Sequence, residues 1–245
     1  MKHKKLLSVN ADAKTIKGYK QGYLTGIMYL APHKNSGVMN VCPNASLGCI
    51  QACLYKAGRG AFNKTQQARI NKTILFKKDR TFFMNSLVKD IEALIRKADR
   101  DHVEPVIRLN GTSDLPFYNI SVVRNGVLFN SIMDAFPNVQ FYDYTKNDKS
   151  LSSNLPANYH ITFSRAEDNE RRALKLIKDG YNVSVVFDIK KDENLPQSWK
   201  GYKVINGDES DLRFLDEKGT IVGLRAKGNK KDIAEGIKEG FIVQA

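Results

Sequence analysis

The sequence is poor in cysteine, histidine and tryptophan, with three, four and one of each among its 245 residues. An odd cysteine count without an export signal argues against a disulfide framework. No apolar run approaches the roughly 20 residues of a bilayer-spanning helix, and residues 1–8 lack the apolar core of a signal peptide. We therefore expect a chain without membrane spans that stays in the cytoplasm.

Low-complexity stretches and linkers rich in proline, glycine or serine are also missing. With 42% hydrophobic residues, twelve Phe and ten Tyr, the chain has enough apolar surface to offset the entropy of ordering. Its length suits one large domain. We expect a basic lead-in over residues 1–22, with weak local structure, and a single domain over residues 23–245.

Acidic residues are scarce in one half only. The formal charge is +13; residues 1–100 hold 19 Lys and Arg against five Asp and Glu, whereas the rest hold 20 against 21. A basic half can meet a phosphate-rich partner, attract an anionic substrate, or simply be solvated. Nucleic-acid binding through the basic segment 56–100 is thus one alternative, although no stacking or helix-turn-helix motif accompanies it. The cations it would use include Lys64, Arg69, Lys72, Lys77, Lys78 and Arg80.

Short apolar strands alternate with helical segments along the chain. Seven strands are predicted, at residues 23–31, 106–109, 139–142, 160–163, 183–187, 202–205 and 221–224. Helices are predicted at about 63–78, from the N-cap Asp79 onward, and at about 126–136, 167–179 and 230–239, with Gly180 as a C-terminal cap. The alternation predicts an α/β fold: a parallel sheet of about seven strands with right-handed crossovers, forming a partial or complete β/α barrel.

Polar side chains follow most of these strands. Loops at the carboxyl ends of parallel strands surround the active sites of such folds, so these side chains are candidates for a site. The candidate bases are Asp114, Asp143, Asp208 and Glu209, and the candidate anion-holding cations are Lys146, Arg165 and Lys227. The candidate cofactor-binding side chains, after the second strand, are Asn110, Thr112 and Ser113. Each is equally consistent with an ordinary turn or a structural salt bridge.

All three cysteines, Cys42, Cys49 and Cys53, fall in one loop after the first predicted strand. Thiolates are ligands of zinc and of iron–sulfur clusters. Three protein ligands suit a [4Fe-4S] cluster with one open iron, which can act as a Lewis acid. A Cys3His zinc site that includes His33, and metal-free buried thiols, remain as alternatives. Cations near the loop, which favour thiolates in either metal site, are Lys34, Lys56 and Arg59.

Several motifs together resemble the phage gene product 88 family of iron–sulfur proteins. They are Gly26-Ile-Met-Tyr-Leu-Ala-Pro-His33, Cys42-Pro-Asn-Ala-Ser-Leu-Gly-Cys49, Cys53-Leu-Tyr-Lys-Ala-Gly58, Arg69-Ile-Asn-Lys72, Arg108-Leu-Asn-Gly-Thr-Ser-Asp114, Phe141-Tyr-Asp-Tyr-Thr-Lys146, Thr162-Phe-Ser-Arg165 and Asp208-Glu-Ser-Asp-Leu-Arg213. The resemblance covers about residues 20–240. It implies a virus-encoded protein of the bacterial cytoplasm whose cluster is held by the three cysteines, and it leaves the reaction open.

The order of elements is also similar to that of radical S-adenosylmethionine enzymes, which place a three-cysteine loop after the first strand of a partial β/α barrel. The chain departs from their pattern in three places. Its cysteine gaps are six and three residues rather than three and two, Ala52 replaces the usual aromatic residue, and Asn110-Gly-Thr replaces Gly-Gly-Glu. S-adenosylmethionine is therefore only an alternative cofactor.

Three functional hypotheses follow. In the first, the open iron of an aconitase-type cluster polarises a small anionic or ester-like substrate, and the enzyme is a hydrolase or a hydro-lyase. In the second, the cluster binds S-adenosylmethionine and supports radical chemistry. In the third, the cluster is structural and the protein binds nucleic acid.

Overall fold

The computed structural model describes residues 5–11, 13–151 and 154–244. The strands are β1 Leu7–Val9, β2 Tyr23–Met28, β3 Glu104–Arg108, β4 Val122–Arg124, β5 Val127–Phe129, β6 Gln140–Thr145, β7 Tyr159–Ser164, β8 Val183–Phe187, β9 Ser198–Trp199, β10 Tyr202–Asn206, β11 Ile221–Arg225 and β12 Ile242–Val243. The helices are α1 Ala13–Lys20, α2 Leu47–Gln51, α3 Asn63–Lys78, α4 Arg80–Asp101, α5 Ile132–Ala135, α6 Glu170–Lys178 and α7 Lys230–Lys238. None of the described helices is long and apolar enough to cross a membrane.

Ten of the strands form one mostly parallel sheet in the order β1-β2-β3-β6-β7-β8-β11-β10-β9, with β12 paired to β8. The seven central strands from β2 to β10 in this order run parallel to one another, and they are the seven strands that the sequence predicts. β1 and β9 add antiparallel edges. The pairings among the described strands form an open path, and none of them closes the sheet into a barrel. The fold is therefore mixed α/β, built on one large, mostly parallel sheet.

The lead-in is more ordered than its sequence predicts, because it contains β1 and α1. The Asp90 carboxylate on α4 accepts hydrogen bonds from the backbone N–H groups of Leu6 and Leu7, at 2.6 and 3.0 Å. The Lys72 ammonium donates to the Leu6 carbonyl at 2.6 Å. These partners lie more than 60 residues along the chain, which is why local sequence does not reveal the strand. Residues 1–4 and Asp12 of the predicted lead-in lie outside the described residues.

The prediction of a helix at residues 126–136 is wrong. The segment begins inside a β-hairpin of β4 and β5, and only Ile132–Ala135 are helical. Asn125 and Gly126 connect the two strands with φ of 51° and 78°. Two consecutive residues with positive φ produce the turn whose twist matches a tight hairpin, and Asn-Gly is its strongest sequence signal. Turn chemistry therefore overrides the weak helical periodicity.

The other predicted helices are confirmed, with α6 beginning three residues later than predicted. Asp79 is the N-cap of α4, and its Oδ1 accepts from the backbone N–H of Phe82 at 2.9 Å. Gly180 follows α6 with φ of 91°, which is the left-handed conformation that glycine adopts without steric cost. Local capping signals therefore locate these helix ends well.

The two faces of the sheet differ in chemistry. Alternate residues of a strand point to opposite faces, so Ile107 of β3 and Phe141 of β6 join the apolar core under α4, whereas the next residues face the other way. There, the Arg108 guanidinium contacts both carboxylate oxygens of Asp211, at 3.0 and 2.9 Å. The Tyr142 hydroxyl donates to the same carboxylate at 3.1 Å. A buried, hydrogen-bonded ion pair therefore lies against the second face.

His160 adds a pH-dependent contribution to stability. It lies beside Tyr142 in the parallel pair β6–β7, and its Nε2 is buried without a hydrogen-bond partner among the described residues. Burial, with the Arg213 charge, lowers its pKa from 6.5 to about 4. The unfolded chain therefore binds this proton more readily, and the free energy of unfolding decreases as pH falls from about 6.5 towards 4.

We therefore expect His160→Gln to flatten the acid side of the pH–stability curve. Urea unfolding of both proteins at pH 8 and at pH 4.5 to 6 measures the difference. At pH 8 His160 is neutral in both states, so any stability change there reports packing alone. If the free energy of unfolding depended on pH equally in the variant and the parent across this range, the prediction would be contradicted.

Candidate functional site

The cysteine segment, residues 41–53, follows β2 and contacts the loop that leaves β3. The backbone N–H of Asp114 donates to the Val41 carbonyl at 2.8 Å. The Cys42 thiol donates to the Thr112 carbonyl across 3.7 Å. The cysteine segment therefore lies at the carboxyl edge of the parallel sheet, where loops build the sites of such folds.

The three thiols lie close enough to influence one another's ionisation. Burial raises the pKa of Cys42 to about 12, and the negative charges of Cys53 and Cys49 act in the same direction. Burial and the charge of Cys49 likewise raise the pKa of Cys53. Backbone N–H groups partly oppose this effect: the His33 N–H donates to the Cys42 sulfur at 3.3 Å. The thiols thus form a half-buried group that a cation or metal would convert to thiolates.

Lys146, directly after β6, faces this group. Its ammonium hydrogen-bonds the Cys49 sulfur and donates to the Ser164 hydroxyl at 3.2 Å. It also lies 5.4 Å from the centre of the Phe241 ring. Burial lowers the pKa of Lys146, but the charges of Cys49 and Asp114 outweigh it and the pKa is raised. Lys146 therefore stays charged beside the thiols.

Arg69 of α3 provides a second cation. It is buried, and its guanidinium lies 4.9 Å from the centre of the Tyr29 ring and 5.7 Å from that of Tyr55. Its charge lowers the pKa of Cys53, against the effect of burial. A buried cation of this kind favours negative charge on the thiols. The nucleic-acid alternative of the sequence analysis counts Arg69 among its surface cations. In the structure, Arg69 is instead buried close to the cysteine segment.

Glu167 fastens the cysteine segment to the loop after β7. One carboxylate oxygen accepts from the Ser46 hydroxyl and the other from the Gly48 backbone N–H, both at 2.7 Å. The Ser46 hydroxyl in turn accepts from the Cys49 N–H at 3.3 Å. A side chain at Gly48 would collide with Phe241, 2.5 Å away. Sequence reasoning missed Glu167, whose only signal was its place in a polar loop after a strand.

Loss of the Glu167 carboxylate is expected to loosen α2. Glu167→Ala leaves the Ser46 hydroxyl and the Gly48 N–H without their acceptor, and about 1–3 kcal/mol of local stability is lost. Hydrogen exchange followed by mass spectrometry should show peptides that span α2 exchanging about fivefold faster or more. Asp168→Ala, at the exposed neighbouring position, serves as the control and leaves exchange at α2 unchanged. Equal α2 exchange in the parent and Glu167→Ala would show that the contact does not hold the segment.

Asp143, Asn110 and Ser113 build the loop beside the cysteine segment. Asp143 is only 1% exposed, and it accepts from the Asn110 N–H at 2.7 Å and from the Tyr159 hydroxyl at 3.0 Å. Burial raises its pKa to about 7, although Arg108 and these hydrogen bonds oppose the shift. The Asn110 side-chain oxygen accepts from Ser113 at 2.7 Å. These hydrogen bonds therefore fix the conformation of residues 110–115.

Asp114 lies between the thiols and a small cavity. Its carboxylate accepts from the Thr145 hydroxyl at 2.7 Å and from the Lys146 backbone N–H at 3.0 Å. The cavity, of about 150 Å³, is bordered by Asp114, by Asn44 of the cysteine segment and by Tyr118. Asp114 thus places a carboxylate at the edge of this cavity.

Thr112 and Arg165 make structural contacts, mostly with backbone carbonyls. The Thr112 hydroxyl donates to the Leu30 carbonyl at 2.6 Å. The Arg165 guanidinium donates to the carbonyls of Gly240 and Phe241 and to the Glu170 carboxylate, the last at 2.7 Å. Arg165 therefore fixes the carboxyl-terminal segment whose Phe241 packs in one small apolar cluster with Cys49.

Asp208, Glu209 and Lys227 belong to a separate cluster. The Lys227 ammonium contacts Asp208 at 2.6 Å, and the Arg225 N–H donates to the same carboxylate at 3.0 Å. Glu209 is exposed and accepts from the Asn206 side chain at 2.9 Å. Their described contacts, which include Asn206 and Arg225, are not with the cysteine segment. The sequence analysis treats all of these side chains as candidates for one site, whereas the contacts of Asp208, Glu209 and Lys227 are separate from those of Asp114 and Lys146.

The basic segment offers fewer surface cations than its sequence suggests. Arg69 is buried and Lys72 is half-buried with its ammonium on the Leu6 carbonyl. The exposed members are Lys64, Lys77, Lys78 and Arg80. Arg69 and Lys72 are therefore not free for a nucleic acid, whereas the other four cations are accessible to one.

Within the described ranges, no three His, Cys, Asp or Glu side chains are grouped closely enough to hold a single metal ion. Zinc binds thiolates at about 2.3 Å, so its ligands must converge tightly. These residues therefore do not support the Cys3His zinc site with His33. In an iron–sulfur cluster each thiolate binds a different iron, so the ligands stand further apart. The donor set of three soft thiols beside two cations fits that group.

A family model described as Gene product 88 matches residues 4–245, which is nearly the whole chain. No curated protein and no solved structure matches it.

Proposed function

The chain belongs to the Gene product 88 family, and we propose that it is a phage-encoded enzyme of the host cytoplasm that binds a [4Fe-4S] cluster. Cys42, Cys49 and Cys53 would be its ligands. The observation that carries the proposal is the set of three half-buried, mutually interacting thiols beside Lys146 and Arg69. The proposed activity is of the hydrolase or hydro-lyase type on a small anionic or ester-like substrate.

With three protein ligands, a bound cluster supplies an open iron that can act as a Lewis acid on a substrate oxygen. Lys146 holds the anionic group of the substrate, because its charged ammonium lies at the thiols and keeps one donor beyond those on Ser164 and the Cys49 sulfur. Arg69 offsets the negative charge of the thiolates. Both cations also draw anions towards the carboxyl edge of the sheet.

Asp114 is the base that this arrangement favours. Its carboxylate borders the cavity beside the cysteine segment, and Thr145 and Lys146 fix its orientation. Its Oδ1 would receive the proton of the attacking water or of the substrate carbon. Asp143, in contrast, is only 1% exposed and does not border this cavity, so it positions Asn110 instead.

The test compares substrates of different charge on anaerobically prepared protein. We expect turnover of small activated esters or hydroxy acids, and we expect Lys146→Met to raise KM for an anionic substrate about tenfold while leaving KM for a neutral ester nearly unchanged. Lys190→Met, at a highly exposed position, is the matched control. Turnover that persists after the cluster is removed, or equal KM changes for both substrates, would contradict the proposal.

A further inference from the structure

Three of the eight large aliphatic side chains exposed on the described surface lie in the β4–β5 hairpin. Val123, Val127 and Leu128 are 50, 54 and 70% exposed. Val123 and Leu128 are direct cross-strand partners, so they share one face of the hairpin. The other face is fixed by Arg124, whose guanidinium lies 4.0 Å from the centre of the Phe136 ring. The hairpin thus presents an apolar face that its own fold leaves open to water.

This face borders a cleft. The hairpin and the first turns of α4 enclose about 260 Å³, walled by Met84, Val122, Val123 and Leu128. The cleft is large enough for one or two aliphatic side chains. Such a recess, flanked by exposed apolar residues, can receive an apolar side chain of a partner.

The charged side chain among those lining the cleft is cationic, and exposed lysines lie close by along the chain. Arg80 lines the cleft, and Lys77 and Lys78 are exposed at the preceding helix end. Lys89 is exposed one turn beyond Asn85, which also lines the cleft. None of the described lining residues is acidic. An occupant with carboxylates around an apolar side chain is therefore complementary to this surface.

The charge near the cleft also distinguishes among the possible occupants. A second copy of a chain with net charge +13 would bring like charge to these cations. Nucleic acid would match the charge, but none of the described lining residues is aromatic, so bases would find no ring on which to stack. A flat bilayer would leave the recess unfilled. We propose that this cleft binds an acidic segment of another protein and takes up one of its aliphatic side chains.

Fluorescence anisotropy with labelled peptides of about ten residues tests the proposal. The probes alternate Leu with Glu, Ser with Glu, and Leu with Lys. We expect binding of the Leu/Glu peptide only, because both the apolar contact and the charge are required. Leu128→Ser should weaken this binding about tenfold, as expected for losing a buried leucine. Arg80→Ser should weaken it and reduce its salt dependence.

The control is Leu215→Ser, which removes a 54% exposed leucine outside the cleft. It should leave binding unchanged. Equal binding of the Ser/Glu peptide would show attraction by charge alone and overturn the proposal. So would insensitivity to Leu128→Ser, self-association that Leu128→Ser abolishes, or binding to anionic vesicles or DNA that requires Leu128.

Discussion

Cys49→Ser is expected to abolish metal binding, lowering iron from about four atoms per chain to a small fraction of one after anaerobic reconstitution. A serine hydroxyl is a hard, poorly ionised donor that does not replace a thiolate on iron. With two ligands left, the cluster loses its third attachment. The measurement is iron and sulfide content together with visible absorbance.

Folding must be separated from ligation in this experiment. Cys49 packs with Ala166 and Phe241, so the thermal unfolding of cluster-free parent and variant should be compared. The two should agree closely, because serine has nearly the shape of cysteine. Asn44→Ser, an exposed change within the cysteine segment, should retain the metal. Full iron content in the Cys49→Ser protein would show that Cys49 is not a ligand.

Asp211→Ala is expected to lower the free energy of unfolding by about 3–5 kcal/mol, because it leaves the Arg108 guanidinium buried without its counter-charge. The pair is well formed, since Arg108 contacts both oxygens of Asp211 and the Tyr142 hydroxyl donates to one of them. The Arg108 charge, with that of Lys14, overcomes burial and holds the pKa of Asp211 far below its usual range. This contribution is therefore complete above about pH 4 and is lost as pH falls further.

Urea unfolding at pH 7 measures this loss. The matched control is Glu217→Gln, which breaks the exposed contact of Glu217 with Lys203 and should cost less than about 1 kcal/mol. The double change Arg108→Met with Asp211→Leu should recover much of the stability, since it removes both buried charges. A loss at Asp211→Ala no larger than that of the control would contradict the assignment of a buried ion pair.

Local sequence predicts the elements of this fold well. The strands were visible as short β-branched runs, and Asp79 and Gly180 marked helix ends through capping chemistry that acts within a few residues. β1 was missed because its partners, Asp90 and Lys72, lie far along the chain. The hairpin was missed because Gly126, the second residue of the Asn125-Gly126 turn, was assigned to a predicted helix. Distant contacts and turn geometry, rather than propensity, account for these errors.

The candidate site was predictable in its residue types and much less in its geometry. The clustering of the cysteines was plain, and Lys146 and Asp114 were placed correctly near the cysteine segment. Glu167 and Arg69 were missed as parts of it, because their roles depend on contacts across 119 residues and on burial. Asp208 and Lys227 pair with each other. Sequence shows which strand end carries a side chain, but not which neighbours it meets.

The central claim is that the three thiols hold an iron–sulfur cluster with an open iron. Anaerobic purification followed by metal and sulfide analysis, and then by titration of the spectrum with a small hydroxy acid and with S-adenosylmethionine, tests it most directly. We predict about four iron and four sulfide per chain and a spectrum that the hydroxy acid changes and S-adenosylmethionine does not. Protein that contains zinc alone, or that takes up no iron on reconstitution, would contradict the claim.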